Sequence, residues 1–308
     1  MEAHAYPDAA APYPGYDTGN AAPAPAANLG RRASCYHTAS RSPSHRYRMT
    51  PIDRLIALAD GQVFVRHWPV AGSTLAPIVL LHDSLGCVAL WRDFPAQLAA
   101  ASGREVIAYD RLGYGQSSPR LAPAQPDFIE QEANTLLPAL LAALGLTRYV
   151  LFGHSVGGGM ALTHAAQAAG CGAVVSESAQ AFVEPHTRDG IVAAKAGFAE
   201  AAQFARLTRW HGERARWVLD AWTETWLLPL FDDWSLSPWL ARVRCPVLAI
   251  HGDLDEFGSH AFPRRIAAEV AGPSQLLLLD HCGHVPHREL PQAVLAGVCG
   301  FLQQHGVS

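Results

Sequence analysis

The sequence predicts an α/β fold, a mostly parallel sheet with helices on both faces, for most of its 308 residues. Several strand-like segments are continuous apolar runs, such as Pro77-Ile78-Val79-Leu80-Leu81, which are typical of strands buried on both faces. Segments with helical periodicity separate these runs, and such alternation favours parallel strands joined by crossover helices. Hydrophobic residues make up 49% of the chain and charged residues 16%, enough to bury a large core.

The predicted elements follow one another from Ile52 to the C-terminus, and the first two strands form a hairpin. The predicted strands are 55–59, 62–68, 77–81, 105–109, 149–152, 172–176, 246–250 and 275–279. The predicted helices of the sheet domain are 91–101, 128–144, a helix directly after Ser155, 261–271 and 290–304.

One segment interrupts this alternation. No strand is predicted between Glu177 and Arg244, where helical patterns span 189–208 and 213–228. Six of the eight tryptophans lie there: Trp210, Trp217, Trp222, Trp226, Trp234 and Trp239. We interpret residues of about 178–240 as an inserted helical cap, whose indoles hold it on the sheet domain and together line an apolar pocket. Trp222 and Trp226 are the predicted pocket residues.

The first 48 residues are rich in Ala, Pro, Tyr, Ser and Gly and show no hydrophobic periodicity. Such a segment cannot offset its ordering entropy by burial, so we expect disorder there and one folded domain over residues 49–308. Met49 directly precedes the first strand-like segment. This suggests the hypothesis that the native chain begins at Met49, which a mass spectrum of the native protein would test.

The composition narrows the possible partners. A net charge of −4 provides no broad basic surface for nucleic acid. No apolar run approaches the roughly 18 residues of a membrane helix. The six cysteines are scattered without zinc-site spacing, which favours free thiols and a cytoplasmic location. We therefore expect a small-molecule substrate, no nucleic acid, no membrane, no metal and no cofactor; oligomeric state is not predicted.

The pentapeptide Gly153-His154-Ser155-Val156-Gly157 is the strongest chemical signal. A strand-like run precedes it and a helical one follows, the setting of a nucleophile elbow, in which a serine occupies a sharp strand-to-helix turn. Glycines on either side avoid steric conflict in that turn. The adjoining helix N-terminus favours developing negative charge. Ser155 is therefore the candidate nucleophile.

A serine nucleophile needs a base and an acid that orients it. We predict His284 as the base, on the loop after the last strand, with His281 and His287 as rivals. We predict Asp255 as the acid, since Gly252 and Asp253 must first make the turn after their strand. Two other candidates for the acid are Asp253 and Glu177.

An oxyanion hole requires two backbone N–H donors. Val156, directly after the nucleophile, supplies the first predicted donor. The second is assigned to Ser84, in the loop His82-Asp83-Ser84-Leu85-Gly86 that follows the strand ending at Leu81. His82, Asp83 and His154 are added to the predicted pocket because they flank these donors.

From Ile52 to its C-terminus the chain resembles the α/β-hydrolase superfamily, in the group with a helical cap that includes esterases, carbon–carbon bond hydrolases and cofactor-free haloperoxidases. The motifs that carry the resemblance are His82 to Gly86, Asp110 to Ser117, Gly153 to Gly157, Gly252 to Asp255, and Gly283-His284. The resemblance implies the roles already given to Ser155, Asp255, His284 and the two donors, and a structural role for Asp110 and Arg111. Similar haloalkane dehalogenases and epoxide hydrolases carry an aspartate at the nucleophile position, so the serine argues against those branches.

One position departs from the family pattern, because Asp83 follows His82 where the family usually has glycine. A carboxylate near the oxyanion hole would disfavour an oxyanion or position a water. The resulting prediction is a serine hydrolase that cleaves a small apolar carboxylic ester. The alternatives are carbon–carbon cleavage, thioester hydrolysis or acyl transfer by the same triad, and a non-catalytic ligand-binding protein.

Overall fold

The computed structural model of the protein describes residues 50–308, and the predictions for residues 1–48 and for a start at Met49 lie outside that range. One sheet of eight strands runs through the described chain, in the order β1-β2-β4-β3-β5-β6-β7-β8. The strands are β1 (Ile52–Leu58), β2 (Gly61–Trp68), β3 (Ile78–Leu81), β4 (Val106–Tyr109), β5 (Tyr149–His154), β6 (Cys171–Glu177), β7 (Val247–Gly252) and β8 (Ser274–Leu279).

The first strands form the predicted hairpin, and β2 runs antiparallel to both of its neighbours. All other neighbouring strands are parallel. The prediction of a mostly parallel sheet is therefore confirmed, with the antiparallel strands confined to one edge.

Helices outside the 178–246 segment are α1 (Phe94–Ser102), α2 (Phe128–Gln131), α3 (Leu137–Ala143), α4 (Val156–Ala165), α9 (Ala261–Glu269), α10 (Pro286–Glu289) and α11 (Pro291–Gln304). A π-helical turn, Glu132–Leu136, joins α2 to α3, so the helix predicted over 128–144 is continuous but locally widened.

The segment between β6 and β7, here called the helical insertion (residues 178–246), contains four α-helices: α5 (Pro185–Gly197), α6 (Ala201–His211), α7 (Ala215–Trp226) and α8 (Ser237–Leu240). The single helix predicted over 189–208 is wrong, because the chain turns between α5 and α6. Gly197 weakens the helix at that point, and Glu200 has the extended backbone of a new N-cap. Helix α7 packs against both α5 and α6.

The two faces of the sheet are covered by different helices because successive strand residues point to opposite sides. In β3, Ile78 and Leu80 join the core formed with α1 and α11. Val79 and Leu81 join the larger core, which includes α3, α4, α9 and the insertion. This explains why every residue of β3 is buried and the strand is a continuous apolar run.

Close backbone packing fixes the turn between β5 and α4. A Cβ added to Gly153 would lie 2.1 Å from the carbonyl oxygen of Gly157, and one added to Gly157 would lie 2.3 Å from the carbonyl oxygen of Leu81. The start of α4 therefore rests directly on the ends of β5 and β3. None of the helices among residues 50–308 has both the length and the apolar character needed to traverse a lipid bilayer.

This packing predicts opposite effects of one substitution at two positions of α4. Gly157→Ala should lower the free energy of unfolding by about 3 kcal/mol, since overpacking against backbone cannot relax. Gly159→Ala should raise it by about 1 kcal/mol through helix propensity, because its Cβ would lie 3.8 Å from the nearest atoms, the δ-carbons of Leu236. Urea denaturation of both variants measures the difference; equal effects would contradict the close contact.

Candidate active site

Ser155 occupies the turn between β5 and α4 with a φ of 54°, a left-handed conformation that is costly for a residue with a Cβ. Its backbone N–H donates to the carbonyl oxygen of Glu177 at 2.8 Å, which fixes the turn to the neighbouring strand β6. The side chain faces a narrow pocket at the carboxyl edge of the sheet. A serine held in this strained geometry fits the elbow predicted from the sequence.

Asp255 and His284 form a buried pair beside the same pocket. The Nδ1 atom of His284 lies 2.9 Å from both carboxylate oxygens of Asp255, and the backbone N–H of Phe257 donates to Oδ1 of Asp255 at 2.8 Å. Nδ1 is therefore occupied, which leaves Nε2 of the imidazole for a proton from another group. The ring of Phe257 packs edge-on to His284, with centroids 4.9 Å apart.

Asp255 and His284 shift each other's pKa. Burial disfavours imidazolium, but the Asp255 carboxylate outweighs burial and raises the pKa of His284 to about 9. Burial likewise opposes ionisation of Asp255, yet the charge of His284 and their hydrogen bond hold the pKa of Asp255 below its usual range. The Asp255 carboxylate therefore stabilises the imidazolium form of His284, the form that results when Nε2 takes up a proton.

The rivals of these two residues have other partners. The carboxylate of Asp253 accepts the backbone N–H of Cys282 at 3.2 Å, in keeping with the turn-forming role expected for it. His281 is exposed and has a φ of 56°. Glu177 and His287 pair with each other, with Nδ1 of His287 2.5 Å from Oε2 of Glu177.

The loop His82 to Gly86 lies beside the start of α4, because Gly157 packs on Leu81. Ser84 is buried and lines the pocket together with Ser155. Val156 is the first residue of α4, so its N–H belongs to the free donors of that helix N-terminus. The two predicted oxyanion donors are therefore near neighbours of the serine.

Four apolar and five polar side chains line the pocket. They are Ile191, Trp222, Trp226 and Phe257, with Ser84, Ser155, Gln180, Thr187 and His284. The structure thus brings Trp222 and Trp226 to the pocket. Another indole of the insertion, Trp217, packs on the 110–117 turn instead and donates to the carbonyl oxygen of Ala122 at 2.9 Å.

Three other predicted pocket residues are absent from this lining. The imidazole of His82 is held by neighbouring backbone instead: its Nε2 accepts the backbone N–H of Arg111 at 3.1 Å and its Nδ1 donates to the carbonyl oxygen of Asp83 at 2.8 Å. Burial lowers the pKa of His82 well below its usual value, so the ring is neutral. The imidazole of His154 turns away too, and its Nε2 donates to the carbonyl oxygen of His284 at 2.7 Å.

The side chain of Asp83 fits against Gly86. A Cβ on Gly86 would lie 1.9 Å from Oδ1 of Asp83, so the glycine makes room for the carboxylate. Asp83 is half-buried and raises the pKa of His284 along with Asp255 and Glu256. Asp83 therefore influences the charge of His284 through space rather than by lining the pocket.

Four lining residues were not predicted from the sequence: Gln180, Thr187, Ile191 and Phe257. Gln180 follows β6 by three residues, and positions just beyond the carboxyl ends of parallel strands commonly face ligands, so this rule could have found it. Thr187 and Ile191 share one face of α5, but their spacing alone does not reveal which way that face turns.

Within residues 50–308, one group of potential ligand side chains is close enough to hold a metal ion. One ligand atom each of His154, Glu177 and His287 lies within 4.8 Å of the others, and all three residues are buried. The sequence did not indicate this group, because its members come from β5, β6 and α10.

The contact between Asp255 and His284 predicts that two histidines of the site titrate differently. His284 should titrate well above its ordinary pKa of 6.5 and His154 well below it, since burial lowers the pKa of His154 to about 4. Asp255→Asn should lower the pKa of His284, because the charge that stabilises imidazolium is lost. Long-range ¹H–¹⁵N NMR of the folded protein measures both values; titration of both rings near 6.5 would contradict the influence of Asp255 on His284.

Comparison with known proteins agrees with this architecture. The sequence profile of the family described as alpha/beta hydrolase fold matches residues 76–289. The chain is 33% identical over 88 residues to the (lyso)-N-acylphosphatidylethanolamine lipase of Homo sapiens, which covers 29% of this chain and 25% of that protein. It is 37% identical over 89 residues to the proline iminopeptidase of Lactobacillus delbrueckii subsp. lactis, which covers 29% of this chain and 30% of that protein.

The chain thus spans less than a third of either curated relative. A solved structure, the enol-lactonase from Burkholderia xenovorans LB400, superposes with a TM-score of 0.63 at 22% identity, over 81% of this chain and 100% of that chain. The profile match over more than half of the residues, together with the sheet order, shows that the chain belongs to the α/β hydrolase fold family.

Proposed function

We propose that this protein is a serine hydrolase that cleaves a small apolar carboxylic ester through an acyl-enzyme intermediate. One observation carries the proposal: a buried, hydrogen-bonded Asp255–His284 pair lies beside the same pocket as a serine held at positive φ. Burying a carboxylate with a histidine and holding a serine at positive φ both cost stability, and such features cluster at functional sites. Acyl transfer uses all three groups.

In the proposed reaction, Oγ of Ser155 attacks the ester carbonyl carbon while its proton passes to Nε2 of His284. Asp255 holds the imidazole through Nδ1 and stabilises its cationic form. The N–H groups of Val156 and Ser84 bind the oxyanion of the tetrahedral intermediate. When the intermediate collapses, the bond to the alcohol oxygen breaks and His284 gives the proton to the leaving alcohol.

A water molecule then completes the cycle. His284 takes a proton from this water, whose oxygen attacks the acyl carbon, and Ser155 regains its proton as the acid product leaves. These steps use only side chains and backbone groups of the chain itself. The insertion, which we propose acts as a cap over the pocket, excludes bulk water and strengthens the electrostatic interactions inside.

The pocket supports the substrate class. Its apolar side chains are large and rigid, and Trp222 packs edge-on to Phe257 with ring centroids 5.7 Å apart. No lysine or arginine belongs to the lining, within the described part of the chain. A small, uncharged, largely apolar acyl group suits these surroundings. The proteins with similar sequences or folds include a lipase, an iminopeptidase and a lactonase by name, so family membership by itself leaves the substrate open.

Ser155→Ala tests the nucleophile. We expect hydrolysis of a p-nitrophenyl ester to fall by about 10⁴-fold or more, because no other group forms the acyl-enzyme. A fluorophosphonate should label wild-type protein at Ser155, as read by peptide mass spectrometry. The matched control is Ser176→Ala in β6, whose buried hydroxyl has no hydrogen-bond partner within the described chain and whose loss should leave the rate unchanged. Labelling elsewhere, or an active Ser155→Ala protein, would exclude the proposal.

Two neighbouring aspartates test the assignment of the acid. Asp255→Asn should lower kcat by about 10³–10⁴-fold, since the amide cannot stabilise imidazolium. Asp253→Asn should keep nearly full activity, because its amide oxygen still accepts the backbone N–H of Cys282. Steady-state kinetics of both purified variants gives the comparison; a larger loss at Asp253 would reverse the two roles.

A further inference from the structure

A second carboxylate–histidine pair lies directly behind the first, and the proposed mechanism does not use it. Nδ1 of His287 donates to Oε2 of Glu177 at 2.5 Å. Glu177 is fully buried and His287 is 4% exposed. Burying a carboxylate in this manner is costly, so the pair requires an explanation.

The pair joins the two segments that carry the proposed nucleophile and base. Glu177 ends β6, faces His154 across the parallel ladder, and accepts the N–H of Ser155 at its carbonyl oxygen. His287 lies on α10, one turn after His284. A second link runs alongside, from Nε2 of His154 to the carbonyl oxygen of His284 at 2.7 Å. The loop of the base is thus tied twice to the strand ends beside the nucleophile.

The surroundings hold these links rigidly. The ring of His287 packs against Trp91 at 4.6 Å and Phe94 at 5.3 Å between centroids, and against His154 at 5.0 Å. Burial raises the pKa of Glu177 to about 7 and lowers that of His287 to about 3. Burial thus opposes charge on both groups, whereas the Asp255 carboxylate favours charge on His284. A short hydrogen bond between buried groups in an aromatic setting is well suited to a structural link.

We propose that Glu177 and His287 are positioning residues, which hold the loop of His284 against the nucleophile strand at the geometry that proton transfer requires. This inference rests on the proposed function. A serine and its base must approach to about 3 Å, and a displacement of about 1 Å can cost a factor of 100 in rate. The two links restrain that displacement at the backbone of the base loop.

A zinc site at His154, Glu177 and His287 is the competing interpretation, since these are zinc ligands in type and number. One nitrogen of each histidine already takes part in a hydrogen bond. Nδ1 of His287 donates to Glu177 at 2.5 Å, and Nε2 of His154 donates to the carbonyl oxygen of His284 at 2.7 Å. A cation would have to displace the first of these. The hydrogen-bonded state therefore accounts for the cluster, and metal binding becomes an outcome of the test.

The test compares two substitutions of His287 in the full chain. Leu removes the N–H that Glu177 accepts, whereas Asn retains an amide N–H near the position of Nδ1. His287→Leu should lower kcat for ester hydrolysis by about 100-fold with KM unchanged, because the pocket is formed by other elements. His287→Asn should retain most of the activity. Rates are divided by the concentration of sites titrated with a fluorophosphonate, so unfolded protein does not contribute.

The matched control is His164→Leu. His164 is also buried and hydrogen bonded, to the hydroxyl of Tyr149 at 2.8 Å and the carbonyl oxygen of Ala133 at 2.7 Å, but it lies at the opposite end of β5 and α4 from Ser155. This variant should lower the melting temperature and leave kcat per titrated site unchanged. If His287→Leu fails to fold, the same comparison is made on the hydrogen bond from His154 to the carbonyl oxygen of His284. His154→Met removes its donor, whereas His154→Gln keeps an N–H near the position of Nε2.

Three outcomes overturn the positioning role. If His287→Leu has the same kcat per titrated site as wild-type protein, the pair contributes to stability alone. If His287→Asn loses as much activity as His287→Leu, the hydrogen bond is not the cause of the loss. Purified protein with about one zinc per chain, and activity lost to a chelator, assigns the cluster to a metal. If the fluorophosphonate fails to label Ser155 in wild-type protein, the proposed function itself fails, and that result is distinct from the other three.

Discussion

The contact between the first turn of α4 and the ends of β3 and β5 determines the arrangement of everything around it. With no side chains at Gly153 and Gly157, backbone rests on backbone, which forces Ser155 into the left-handed region at the edge of the sheet. The same contact brings the free N–H groups of the helix beside the loop that follows β3. The proposed nucleophile, an electropositive helix end and the loop of the second proposed donor thus share one small volume because two glycines permit it.

The histidines around this volume show how strongly surroundings control charge. His284 and His287 are three residues apart and each contacts a buried carboxylate, yet the pKa of one is raised and that of the other lowered. Asp255 also accepts a backbone N–H from Phe257, which stabilises its negative charge, whereas Oε1 of Glu177 has no partner among residues 50–308. The surroundings therefore favour charge in the first pair, which suits the proposed proton transfer, and oppose charge in the second, which suits the proposed role of holding a loop.

Much of the fold was predictable because its information is local. The strands from β3 onward were visible as short apolar runs, and the elbow, the Asp255 turn and the His284 loop each fall directly after such a run. The break between α5 and α6 was missed because alanine-rich helical patterns continue across it. The orientation of His82 and His154 was missed for another reason: whether a side chain beside a glycine turn faces solvent or core depends on partners remote in sequence, here Arg111 and the His284 backbone.

The insertion is fastened to the sheet domain on two opposite sides of the pocket. From the α6–α7 side, Nε2 of His211 contacts the carbonyl oxygen of Leu85 at 2.9 Å, in the loop of the proposed oxyanion donor. From α5, Oγ1 of Thr187 donates to the carbonyl oxygen of Phe257 at 2.9 Å, beside the proposed acid. The helices that shape the pocket therefore also stabilise the loops of the proposed catalytic residues. Substitutions in α5 or α6 that accommodate a new substrate would also displace those loops. Changes in substrate preference during evolution are therefore expected mainly in the side chains of α7.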